Sequence, residues 1–158
     1  MSNHNLIGLN QEGVTKLTAM LNQLLANYQI LYMNTRGFHW NVRGDNFFEL
    51  HLKFEETYNE LLLKVDEIAE RILTLGERPL HSFSAYIERA AINEERDVTD
   101  GKKGVGHLLD SYQALIAQQR QILALAGEIG DEGTASLMSD YIKAQEKTVW
   151  MLGAYLNK

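Results

Sequence analysis

The 158-residue chain has no cysteine and a single proline, Pro79. Without thiols there are no thiolate metal sites, cysteine nucleophiles or disulfides, so any metal must be held by nitrogen and oxygen. With one proline in the chain, little interrupts helix propagation. No apolar run approaches the roughly 20 residues that a membrane span needs. Residues 1–13 have neither the basic start nor the apolar centre of a secretory signal, and a cytoplasmic location is the expectation. Basic residues are also scarce: 15 Lys and Arg stand against 21 Asp and Glu, a net charge of −6. Residues 1–15 carry no Lys or Arg, the C-terminus offers only Lys158, and Lys102-Lys103 is the lone basic doublet. Binding to a phosphate backbone needs clustered cations, so direct DNA binding is not expected. An acidic surface suits cations as clientele instead.

Helical periodicity is what the chain does have. A first helix is predicted over Gln11–Gly37, with Leu17, Met20, Leu21, Leu24, Leu25, Tyr28 and Leu31 at helical spacing. A loop through Asn41–Asp45 leads to a second helix over Asn46–Leu75, closed by Gly76 and Pro79. Between Leu80 and Gly106, Phe83, Tyr86, Ile87 and Ala90 fit a short extra helix, and Asn93–Gly104 reads as a charged loop. A third long helix spans Val105–Ile129 and a fourth Glu132–Leu156, its stripe being Leu137, Tyr141, Ala144, Thr148, Met151 and Tyr155. The expectation is a single all-α domain over residues 1–158, a four-helix bundle with a short tail at residues 1–10.

The second helix is the informative one. Advancing about 100° per residue from His51 sorts its side chains into sectors. Glu49, Lys53, Glu56, Glu60, Lys64, Glu67 and Arg71 form a wet face, with Phe47, Phe54, Tyr58, Val65, Ala69 and Ile72 roughly opposite as the core face. His51, Glu55, Asp66 and Glu70 belong to neither. They share one edge with Phe48, Leu62, Leu63 and Leu73. Charge interleaved with large apolar groups marks a surface that becomes buried, where a carboxylate needs a partner or a metal. His51 with Glu55, and Asp66 with Glu70, are pairs four residues apart and project side by side. Imidazole with carboxylate suits iron, manganese or zinc.

Glu55 and Asp66 stand eleven residues apart, about 16 Å at 1.5 Å per residue. One metal cluster cannot be gripped by both pairs of one chain. A two-fold copy of the helix, running antiparallel, sets each pair opposite the other and yields two equivalent sites per dimer. His39, placed just beyond the first helix, is the natural further nitrogen. The intrachain Glu-x-x-His signature of di-iron bundles is absent. Each residue also has a plain reading: Asp66 and Glu70 as surface acids paired one turn away, His39 and His51 as core histidines.

The run His39-Trp40-Asn41-Val42-Arg43-Gly44, with Phe47-Phe48, Leu50-His51, Phe54, Tyr58, Asp66 through Arg71 and Leu75-Gly76, resembles the Dps family, the miniferritins named as DNA-binding proteins from starved cells. Spacings of 12, 4, 11 and 4 from His39 through His51, Glu55 and Asp66 to Glu70 are similar to that family's ferroxidase centre. Asp131–Thr134 and Glu146–Met151 extend the likeness along the fourth helix.

The resemblance implies a ferritin-like fold and a hollow shell of twelve subunits. It implies two iron ions at each site shared between subunits, with zinc or manganese as substitutes. Fe(II) would be oxidised by hydrogen peroxide or oxygen and stored as ferric mineral. His39, His51 and Glu55 would come from one chain, Asp66 and the bridging Glu70 from the other. Glu55 departs from the family's usual Asp. Trp40 is open to two roles, packing or electron donation. Glu128, Asp131 and Glu132 either line a pore that admits ions or cap helices. The alternatives to an iron oxidase are a nucleoid protein and a non-catalytic helical assembly whose acids hold zinc. His4, His81 and His107 read as surface or loop residues.

Overall fold

Capping chemistry sets most of the helix boundaries in the computed structural model, which describes residues 3–158. The elements are α1 (Gln11–Asn41), α2 (Phe47–Thr74), α3 (Phe83–Arg89), α4 (Gly101–Glu128) and α5 (Glu132–Tyr155). The side chains of Asn10, Ser82, Asp100 and Asp131 accept hydrogen bonds from the first-turn amides of α1, α3, α4 and α5. Helix α2 starts differently: Asn46 has φ +60° and makes no side-chain cap. Gly76 and Gly130, at φ +93° and +74°, turn the chain out of α2 and α4, a conformation strained for residues with a Cβ. No strand occurs among the described residues, only two isolated bridges.

Two boundaries lie four residues from their predicted places. Helix α1 runs on through Gly37 to Asn41, because one glycine costs about 1 kcal/mol and Phe38 beyond it is buried. Helix α4 begins at Gly101 rather than Val105, so the last third of the charged stretch is helix. Gly101 and Gly104 bring it close to its neighbours. A Cβ on Gly101 would come 2.3 Å from Leu50 Cδ1, and one on Gly104 3.1 Å from Phe54 Cζ. The tail is tied to the end of α2, Asn5 Nδ2 donating to the Leu75 carbonyl, and at the start of α1 Gln11 Nε2 donates to Glu77.

Helices α1 and α2 pair as one hairpin and α4 and α5 as another; α1 also packs on α4 and on α3. Three asparagines of α1 hold the long connection between the hairpins. Asn22 bonds Arg78 O and Leu80 N, Asn27 bonds the amides of Ala91 and Ile92, and Asn34 bonds Asn93 O and Glu95 N. A side-chain amide offers both donor and acceptor, so each one can clamp irregular backbone that would otherwise lack partners.

The core is chiefly aliphatic, with a closed polar ring at its centre. Tyr28 Oη donates to Gln119 Oε1 at 2.6 Å, Gln119 Nε2 to Gln145 Oε1 at 2.8 Å, and Gln145 Nε2 back to Tyr28 Oη at 2.6 Å. The ring ties α1, α4 and α5 together in a site almost closed to water. It also corrects the predicted stripe of α5, whose buried residues are Thr134, Met138, Tyr141, Gln145 and Leu152, with Ala144 and Met151 exposed.

The core face of α2 is likewise rotated from its predicted position. Leu50, Phe54, Thr57, Leu61, Lys64, Ile68 and Ile72 are buried, whereas Phe47, Tyr58, Val65 and Ala69 are half-buried. Two residues assigned to the wet face therefore lie inward. Lys64 is buried, its ammonium on Glu60 at 2.6 Å and 5.3 Å from the Tyr141 ring centroid. Arg71 reaches α5, bonding Asp131 Oδ1 at 2.6 Å and Thr134 Oγ1 at 2.9 Å. Long basic side chains can bury their stems while a carboxylate satisfies the charged end, which a count of polar letters misses.

Gln119→Leu removes two arms of the ring and leaves the Tyr28 hydroxyl hydrogen without an acceptor and the Gln145 Oε1 without a donor. At 1–3 kcal/mol per orphaned group the expected loss is about 3 kcal/mol, read as a lower urea midpoint by circular dichroism. Burial pushes the hydroxyls of Tyr28, Tyr112 and Tyr141 above the ordinary tyrosine range. Their contribution to stability is complete below the unfolded value near 10 and is lost as pH rises through the higher folded values. Alkaline unfolding should therefore coincide with the late part of the tyrosinate absorbance titration, and early ionisation of all seven tyrosines would contradict it.

Candidate metal centre

His39 is inside the last turn of α1, not beyond its end, and faces His51 across the hairpin. The two imidazoles stack with centroids 3.9 Å apart and planes 13° apart. Each holds the other's backbone: His39 Nδ1 lies 2.6 Å from the His51 carbonyl oxygen, and His51 Nδ1 lies 2.8 Å from the His39 carbonyl oxygen. A carbonyl only accepts, so both Nδ1 atoms must carry hydrogen. In the neutral rings that leaves Nε2 as the lone-pair nitrogen on each. Such a backbone bond is how proteins orient metal-binding histidines. Phe47 stacks on the other side of His51 at 5.1 Å, and the Tyr58 ring meets His39 edge-on at 5.4 Å.

His39 is buried and His51 half-buried, and Glu55 stands one turn along α2 on the same edge, also half-buried. Asp66 and Glu70 are exposed further along the helix. Fifteen residues separate His51 from Asp66, about 22 Å of helix. Among the described residues no group of three His, Asp or Glu converges on one point within the chain. The subunit therefore brings together His39 and His51, with Glu55 adjacent, and leaves Asp66 and Glu70 apart. Phe48, Leu52, Leu62, Leu63 and Leu73 of this edge are all exposed. Five large apolar side chains along one helix face amount to an uncovered surface of the kind that marks a contact site.

The donor set suits a borderline or hard divalent cation: two oriented imidazole nitrogens and carboxylates, with no sulfur. Trp40 does not pack in the subunit core. It is exposed, and the Arg36 guanidinium lies 4.8 Å from its ring centroid.

At the turn between α4 and α5, Glu128 and Glu132 are exposed. Asp131 is 2% exposed, spent on the α5 cap and on Arg71, which is the capping alternative of its two readings. His107 is neither a surface nor a loop residue. It lies partly buried on α4, stacked on Phe38 at 6.0 Å with Nδ1 3.2 Å from Glu95.

Several partners of the site were not singled out in the sequence. Phe47 and Tyr58 were assigned to the core, although their spacing four residues before and seven after His51 places both on its side of the helix. Tyr32 and Arg36 stand eight and four residues before Trp40, so their stacking had a signal in the spacing.

A ferritin-like domain model matches residues 18–158. The crystal structure of the Dps protein from Vibrio cholerae, described as a member of a broad superfamily of ferritin-like diiron-carboxylate proteins, superposes with a TM-score of 0.97 at 59% identity, covering 99% of this chain and 98% of that one. A Dps protein from Bacillus brevis superposes with a TM-score of 0.89 at 35% identity, over 92% of this chain and 97% of its own. The DNA protection during starvation protein of Porphyromonas gingivalis is 44% identical over 151 residues, covering 96% of this chain and 95% of that one.

The imidazole arrangement can be checked directly. Nitrogen-15 NMR of the neutral imidazoles should show His39 and His51 as Nδ1–H tautomers. An Nε2–H tautomer at either position would contradict the reciprocal clamp.

Proposed function

The chain belongs to the ferritin-like family, in its Dps branch, and from that premise we propose that it binds, oxidises and stores iron at sites shared between two subunits. The reading rests above all on the two clamped imidazoles. Their metal-binding nitrogens are oriented beside an uncovered apolar edge, and the ligand set within the chain is incomplete. His39, His51 and Glu55 form one half-site and Asp66 and Glu70 the other; an antiparallel second copy of α2 supplies the missing half twice over. The exposed leucines and Phe48 supply the apolar contact that holds the copies together.

Two Fe(II) ions are the substrate. Each gives up one electron, hydrogen peroxide takes both and is reduced to water with two protons, and pairing the electrons leaves no free hydroxyl radical. Oxygen is the alternative oxidant. The chain's own part is to hold ligand charge and geometry in a site closed by the partner. Glu55 keeps the charge of the family's usual Asp but reaches one methylene further, which bears on how the second ion is held. Zinc or manganese suits the same donors.

Assembly into a hollow twelve-subunit shell provides the store. Glu128 and Glu132 are the exposed acids available to line its pores, and Trp40 is read as an interface packing residue in preference to an electron donor. Removal of iron and peroxide protects DNA without contact, consistent with the scarcity of cations. Among the described residues no helix is long and apolar enough to cross a membrane.

The shared site makes a specific prediction. His51→Ala and Asp66→Ala each abolish accelerated ferric absorbance with peroxide while the assembly stays intact. After subunit exchange, a dimer of one variant with the other contains one undamaged site of two and should regain about half the wild-type rate. No recovery after verified exchange would rule out sharing. A purely structural role for these residues predicts unchanged oxidation in both single variants.

A further inference from the structure

Arg36 has a positive charge and, among the described residues, no carboxylate partner in its own subunit. None of the ion pairs of the described residues includes it, although Glu94 lines the same groove between α1 and α3 and is committed to Arg96. Three rings hold the guanidinium instead, with centroids at 4.8 Å for Trp40, 5.8 Å for Tyr58 and 6.0 Å for Tyr32. One N–H is used, Nη1 donating to Tyr32 Oη at 3.0 Å. Nε is buried against its surroundings without any acceptor. A buried donor left unmade costs free energy, so the rings fix a pose that its own hydrogen bonds do not explain. The remaining Nη donors are the end of the side chain still free to meet an anion.

The position along the hairpin indicates which anion. His39 meets His51, and Tyr32 meets Tyr58 at 6.0 Å, so α1 and α2 run antiparallel in matched register. Arg36 falls between those contacts and is level with Phe54, one residue from Glu55. In the shared-site dimer, on which this inference rests, Glu55 faces Asp66 of the partner subunit while His51 faces Glu70 of the partner subunit.

We propose that Arg36 is a positioning residue that binds the partner's Asp66, holding one carboxylate oxygen so that the other points at the metal. A guanidinium suits this task because its planar fork matches a carboxylate. Its charge also opposes a nearby metal ion. The three rings offset part of that charge, so the orienting hydrogen bond outweighs the repulsion, and loss of such an outer partner typically weakens metal binding 10- to 100-fold.

The test is a double-variant cycle on Co(II) affinity, read from visible absorption under conditions where nothing is oxidised. Arg36→Gln should weaken binding at least about tenfold with the assembly intact. In an Asp66→Asn background the same change should cost less than about twofold, whereas in a Glu70→Gln background it should keep most of its effect. Arg36→Lys should restore only part of the affinity, and it takes the place of Arg36→Gln in the cycle if that variant does not assemble. Unchanged or tighter Co(II) binding in Arg36→Gln would overturn the proposal, as would an equal loss with and without Asp66. The shared site stands or falls separately, on recovery in mixed His51→Ala and Asp66→Ala dimers. Recovery there with an additive cycle removes Arg36 alone.

Discussion

A helix is a rigid spacer, and α2 holds His51 and Asp66 about 22 Å apart regardless of how the rest of the subunit packs. Every other feature of the candidate centre follows from that separation. The candidate ligands lie in two clusters on one edge, and no three of them converge among the described residues of one chain. The large apolar groups between them are left uncovered by α1 and α5. In the proposed shared site a second copy lies across this edge, so the contact surface and the chemistry would coincide.

The subunit spends its internal interactions on making that edge firm. His39 and His51 each bond the other's backbone carbonyl, which fixes both rings and joins α1 to α2 where the candidate ligands stand. The Arg71–Asp131 pair joins the far end of α2 to the start of α5. Between these points the Tyr28–Gln119–Gln145 ring ties α1 to the second hairpin. Buried polar groups of this kind specify one packing because any slip leaves them unpaired. A preorganised site needs such support, since ligands that shift by an ångström hold a metal poorly.

Much of this was legible in the residues themselves. The five helices, the short one included, followed from apolar spacing and from breaks at Gly76, Pro79 and Gly130. The candidate ligands stood out because charge on a half-apolar edge is rare enough to need a reason. Other parts were not legible, for physical reasons that can be named. Lys64 and Arg71 count as polar in any periodicity, yet their stems are buried and their charges paired, which turned the core face of α2 away from its predicted direction. Asp131 looks like any acid at a helix start until Arg71 is found beside it. Gly37 reads as a stop, but the burial of Phe38 carries α1 past it.

The sequence by itself determined which residues lie on which helix and how far apart, because 3.6 residues per turn and 1.5 Å per residue are properties of the backbone. It thereby determined that one chain cannot close a site with both pairs. Only the tertiary structure decided that His39 and His51 meet ring to ring, that their Nδ1 atoms are occupied, and that Arg36 has no carboxylate partner among the described residues. Those outcomes depend on the register between α1 and α2. That register is set by packing between residues distant in the chain, and no local spacing encodes it.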